Sequence, residues 1–166
     1  LLFRAFRLLR QAADTIVDLD TAMIDLQKVT TATTSEYQRF YRAANDTAKV
    51  LGVTTEEVIS QTAEWARLGY TLSEAAELAQ NSAIFEAISP DMDITQATDG
   101  LVSIIKAFDV EVEDALDGII SKVNEVGNKF AGSNGDVVEV LTRSSSAMAA
   151  ANNTFDETVA LATAAI

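Results

Sequence analysis

Histidine and cysteine are both missing from the 166 residues. Without Cys there can be no disulfide, thiolate metal site or Cys nucleophile. Without His the commonest general base, the commonest metal ligand and every Ser–His or Cys–His relay go as well. The two absences point away from an enzyme, and no catalytic, cofactor-binding or metal-binding residue is expected. Proline occurs once, glycine seven times, and aromatics make up only 7%. A sandwich or barrel needs many turns, and the residues that build them are scarce. Long apolar runs are lacking too, since none reaches the ~18 uninterrupted residues of a membrane-spanning helix. The opening residues 1–10 are basic and amphipathic but have neither the apolar centre nor the cleavage site of a signal peptide.

What is present suits helices. Hydrophobic residues make up 48%, and Ala, Leu, Ile, Val, Thr and Glu dominate, so an all-α fold is expected. The net charge of −13 is unevenly placed. Residues 1–50 carry seven basic and six acidic side chains; residues 51–166 carry five basic and nineteen acidic. Such a surface repels nucleic acid rather than gripping it. It fits an ordinary soluble helical surface, or a protein that shares a space with DNA without sticking to it. The chain starts without Met, and both of its ends read as helical, so a piece of something longer is expected.

The first segment has a period of seven. Leu2, Leu9, Ile16 and Met23 recur at that spacing, with Ala5, Ala12, Leu19 and Leu26 three residues after each. These are the a and d positions of four heptads, the seam of a coiled coil, and they are the candidate oligomer interface. At ~1.5 Å per residue the helix would run roughly 40 Å. Phe6, Leu8, Ala13 and Ala22 widen the stripe, so packing within the same chain is also open. The Thr-rich stretch from Val29 to Thr34 breaks the helix, because Thr side chains compete for backbone hydrogen bonds. Thr33 with Glu36 then reads as a capping box that opens a second helix ending near Gly52.

Beyond Gly52 one signal recurs: an apolar residue, a capping residue, then acids in the first turn, where the helix dipole favours them. The capping positions are 54, 71, 93, 111, 133 and 154, with Glu111 standing where a Thr is expected. Alternate positions lie about 40 residues apart, the period of helical-hairpin arrays. The spacing predicts helices over 56–68, 73–87, 95–107, 113–130, 136–151 and from 156 onward. Gly52 and Gly69 are expected to end the helices before two of the starts. None of these short helices can bury its apolar face alone, so they must stack. The organisation expected is a long amphipathic, coiled-coil-like oligomerisation helix over 1–30 and a helical-hairpin array over 31–166.

Several clusters invite a chemical reading. Asp91, Asp93 and Thr95 open like a calcium loop, but Gln96 and Val102 stand where Gly and a bidentate Glu are required. Glu111, Glu113, Asp114 and Asp117 crowd one turn at a helix start, a normal home for solvated acids. Gly127, Gly132 and Gly135 are followed by Asp136 rather than Gly-Lys-Ser/Thr, so a flexible joint is expected rather than a phosphate cradle. Trp65, Phe85, Phe108 and Phe155 are spaced as one core anchor per hairpin. Arg4, Arg7 and Arg10 could meet a membrane surface or an acidic partner.

The ordered pieces Phe40-Tyr41-Arg42-Ala43-Ala44, Leu51-Gly52-Val53-Thr54-Thr55-Glu56-Glu57, Leu68-Gly69-Tyr70-Thr71 and Ile105-Lys106-Ala107-Phe108 carry a family likeness. So do Val123-Asn124-Glu125-Val126-Gly127-Asn128-Lys129-Phe130, Leu141-Thr142-Arg143-Ser144-Ser145-Ser146-Ala147 and Asn153-Thr154-Phe155-Asp156-Glu157. Read in order, from about Asp14 to Ile166, they resemble the phage minor tail family of tail tape measure proteins. The resemblance implies a virion component of the tail lumen or tip, assembled in the host cytoplasm. It would act in tail length determination, tail assembly and DNA ejection. It implies a homo-oligomer of three or six copies, with tail tube proteins, tail-tip or distal tail proteins and tail assembly chaperones as partners. Phage DNA would pass without specific binding, and the host membrane could be touched during infection. The resemblance carries no cofactor and no catalytic residue. From the residues alone, an intracellular helical-repeat adaptor and a membrane-active helical protein remain open.

Overall fold

The computed structural model describes the backbone of residues 2–130 and 132–166, with side chains from residue 15 onward except 131. The described residues form helices and no strands. They are α1 (Leu2–Val29), α2 (Thr34–Leu51), α3 (Thr55–Arg67), α4 (Leu72–Ala87) and α5 (Ile94–Phe108). A 3-10 turn (Val112–Asp114) and a π-helical stretch (Ala115–Ile120) then run into α6 (Ser121–Lys129), followed by α7 (Asn134–Ala150) and α8 (Phe155–Ala165). No described helix is long and apolar enough to cross a membrane.

Local chemistry sets the starts. At α3 the Glu57 N–H donates to Thr54 Oγ1 at 3.1 Å, while the Thr54 N–H donates to Glu57 Oε2 at 2.6 Å. This reciprocal box satisfies two donors that a helix start otherwise leaves orphaned. The same box opens α2 at Thr33 and Glu36, α5 at Asp93 and Gln96, α7 at Ser133 and Asp136, and α8 at Thr154 and Glu157. Thr71 and Glu74 make it at α4. Glu111 makes no capping bond. Its carboxylate sits a methylene too far from the backbone for the short-side-chain geometry of a cap. With the first turn unpinned, the chain begins as 3-10, widens to π and reaches regular α-helix only at Ser121.

Gly52 (φ 75°) and Gly69 (φ 101°) both lie in the left-handed region, as expected of residues that end a helix. The Gly52 and Val53 N–H groups donate to the Ala48 carbonyl and close α2.

The chain forms two compact units, residues 1–79 and 80–166. The division falls within α4, whereas the sequence periods place a boundary after residue 30. In the first unit α1 and α2 both pack on α3, around the buried Leu26, Phe40, Ile59, Trp65 and Leu78. The Trp65 ring meets Tyr70 edge-on at 5.6 Å. In the second unit α7 packs on α5, α6 and α8, around Phe85, Leu101, Ile104, Ile119, Val123 and Leu141. Gly100 and Val138 mark the closest approach of α5 to α7, where a Cβ on residue 100 would lie 2.5 Å from Val138 Cγ1. Of the four expected aromatic anchors, Trp65 and Phe85 are fully buried. Phe108 and Phe155 are half-buried and pair with each other at 5.5 Å, with the Lys122 ammonium over the Phe155 ring.

Candidate interaction surface

Among its described side chains, from Ile16 to Leu26, the heptad stripe of α1 passes from exposed to buried. A straight α-helix drifts about 20° per heptad from a strict seven-residue repeat, so the stretch from Ile16 to Leu26 turns the stripe by about 30°. At its C-terminal end the stripe faces inward: Ala22 and Leu26 are buried, on the helix that packs against α3. Leu19 and Met23 are half-buried, and Ile16 is 69% exposed, next to the exposed Val17. The structure thus assigns Leu26 to the core of its own unit, where a second chain cannot reach it. The side chains of Leu2, Ala5, Leu9 and Ala12, like those of Arg4, Arg7 and Arg10, lie outside the described residues.

Met23 also lines an open hollow of about 740 Å³ at the α1–α2 elbow, with Gln27, Thr30, Tyr37, Gln38 and Arg42. Tyr37 and Thr30 hydroxyls bond at 2.8 Å across it. The break over 29–34 is visible in the sequence; the hollow it leaves is not.

Many of the acids stand at helix starts. Bonds from the backbone and hydroxyl of their capping partners hold the Glu36, Glu57, Asp136 and Glu157 carboxyls below the usual carboxylate range. The Thr71 hydroxyl, then its backbone, do the same for Glu74. Hydrogen bonds from Lys28 and Lys129 lower Asp25 and Glu125. Glu111, Glu113, Asp114 and Asp117 are all exposed. Asp93 is the cap of α5, and Asp91 Oδ2 accepts the Gly135 N–H at 2.8 Å. No cluster of three or more acids placed to hold a metal occurs among the described residues.

The glycines read from sequence as a joint prove to be points of close packing. Gly127 lies within α6, where a Cβ would overlap Asn134 Oδ1, and at Gly135 a Cβ would overlap the Asp91 carboxylate. Asn134 is buried, and its Nδ2 donates to Ser89 Oγ (2.9 Å), Asn124 Oδ1 (3.2 Å) and the Ile88 carbonyl (3.3 Å). This junction joins the α4–α5 loop, α6 and α7. In the sequence this region was marked only by the glycines at 127, 132 and 135.

The family model of phage-related minor tail proteins matches residues 41–166. The chain belongs to that family. The match begins inside α2, later than the resemblance suggested from about Asp14, and leaves α1 outside it. No solved structure matches the chain. As a minor tail family member it is a phage tail protein, a structural part of the virion tail whose partners are other tail components.

Proposed function

We propose that this tail protein is part of a tape measure protein, lying in the tail tube lumen or at the tail tip. There it takes part in tail length determination, tail assembly and DNA ejection. The observation that carries the reading is the coupling, in one chain, of a heptad-bearing helix to the minor tail region. An α-helix converts residue number into length at ~1.5 Å per residue, which is what a molecular ruler requires. The short helices that follow α1 and pack into the two compact units suit assembly initiation, tip attachment or passage of DNA rather than measurement. The acidic surface of residues 51–166 supports a place in the lumen, since nineteen acids against five bases repel phosphate and let DNA pass ungripped.

The role is mechanical, not catalytic, in keeping with a sequence that has no His and no Cys. Copies associate through Leu2, Ala5, Leu9, Ala12, Ile16, Leu19 and Met23, the part of the stripe that lies before Leu26. Tube and tip proteins and assembly chaperones are the partners this role requires. In-frame deletions in the helical part of the whole gene test the reading by electron microscopy. Tails that shorten with the residues removed are expected; tails of unchanged length overturn it.

A further inference from the structure

Asn134 and Gly135 form the dipeptide most open to a spontaneous backbone reaction, because glycine has no side chain to shield its nitrogen. The Gly135 nitrogen, on losing its proton, attacks Asn134 Cγ. The new C–N bond closes a five-membered succinimide, the Cγ–Nδ2 bond breaks, and ammonia leaves. Water then opens the ring at either carbonyl, leaving aspartate or isoaspartate at 134. No oxidant or reductant is needed.

The fold opposes each part of this sequence. The Gly135 N–H is held by Asp91 Oδ2 at 2.8 Å, and losing its proton would set a second negative charge beside that carboxylate. The leaving nitrogen, Asn134 Nδ2, is engaged with Ser89, Asn124 and Ile88, in a residue only 7% exposed. Both residues lie in the first turn of α7, where helical dihedrals keep Cγ and the next nitrogen out of bonding geometry.

We propose that Asn134-Gly135 is a latent deamidation site, which the junction of α6, α7 and the α4–α5 loop keeps unreactive and which acts as a one-way latch. Conversion happens only when the α7 start opens, and it prevents the start from closing again. A carboxylate at 134 has no hydrogen to offer. The Ile88 carbonyl and Asn124 Oδ1 would then face another acceptor, with only the Ser89 hydroxyl able to turn a hydrogen toward it, and a buried charge so poorly partnered is strongly unfavourable. Gly127, already in close contact with Asn134, leaves no slack for the side chain to move away.

The test compares the native 166-residue chain with the same chain in concentrated urea, in mildly alkaline buffer, by mass-spectrometric peptide mapping at residue 134. Conversion in the native chain is expected to be slower by at least about tenfold, because reaction waits on local opening. Asp91→Ala is expected to raise the native rate several-fold and leave the urea rate unchanged. Asn134→Asp is expected to unfold at a lower urea midpoint than wild type. Equal native and urea rates overturn the protected site, a comparison that needs no variant to fold. An Asn134→Asp chain as stable as wild type overturns the latch.

Discussion

Gly100 shows how one residue can invert a general preference. In a helix interior, replacing Gly by Ala ordinarily gains about 0.5–1 kcal/mol, because the unfolded chain has less freedom to lose. At Gly100 the new methyl would meet Val138 Cγ1 at 2.5 Å. Val138 is buried and β-branched, and in a helix it has one strongly preferred rotamer, so it cannot turn aside. Overpacking outweighs the backbone gain, and Gly100→Ala is expected to destabilise by about 1–3 kcal/mol. At Gly118 the nearest atom to a Cβ is 3.8 Å away, so Gly118→Ala is expected to be neutral or stabilising by up to about 1 kcal/mol. Urea midpoints of the two variants check the pair; a stabilised Gly100→Ala would mean that α5 and α7 part easily. Nothing in the sequence around Gly100 separates it from any other helical glycine, because its constraint comes from α7, nearly forty residues on.

At the scale of elements, the capping boxes tie stability to pH. The Glu36, Glu57, Glu74, Asp136 and Glu157 carboxyls are lowered in the folded chain, from ordinary values of 4.5 for Glu and 3.8 for Asp. A lowered group binds protons more weakly when folded. Its contribution is therefore complete above the ordinary value and is lost as pH falls through the folded one. With no His in the chain, no ordinary side chain titrates between about pH 5 and 8. Thermal midpoints are expected to be flat over that range and to drop below about pH 4.5. A midpoint that rises on acidification would contradict the capping assignment. The start at 111 offers the converse test. Glu111→Thr places a short acceptor three residues before Asp114, as Ser133 stands before Asp136 at α7. It is expected to add about 0.5–1 kcal/mol and to slow amide exchange over 112–120. The six boxed starts were legible in the sequence because both halves of each box lie three residues apart. The π-helical stretch was not, although Glu111 in place of Thr was its visible cause. Nor was the Asn134 junction, because it draws on residues up to 46 apart.

For the whole molecule, the question is which part of the α1 stripe is available to a second copy. Ile16 is exposed and Leu26 is not, so the two ends should respond differently. Ile16→Glu is expected to change unfolding stability by no more than about 0.5 kcal/mol, as at other exposed positions, while weakening self-association in sedimentation. Leu26→Ala is expected to cost about 2–5 kcal/mol through a cavity in its own unit. Association that survives Ile16→Glu would remove the seam as the oligomer contact. The heptad period was plain in the sequence, but a repeat names a stripe and not the surface that covers it. The packing of α1 on α3, and the division within α4, depend on contacts that no short-range pattern records.

The boxes have a kinetic consequence as well. Each of the six boxed helix starts is closed by groups three residues apart, so none of them has to wait for a distant segment to diffuse into place. Contacts of such low sequence separation form fast, with helices relaxing in about a microsecond and short loops closing in less. A chain pulled out straight would therefore recover its helices almost at once on release. The slower step left to it would be docking, α1 onto α3 and α5 onto α7.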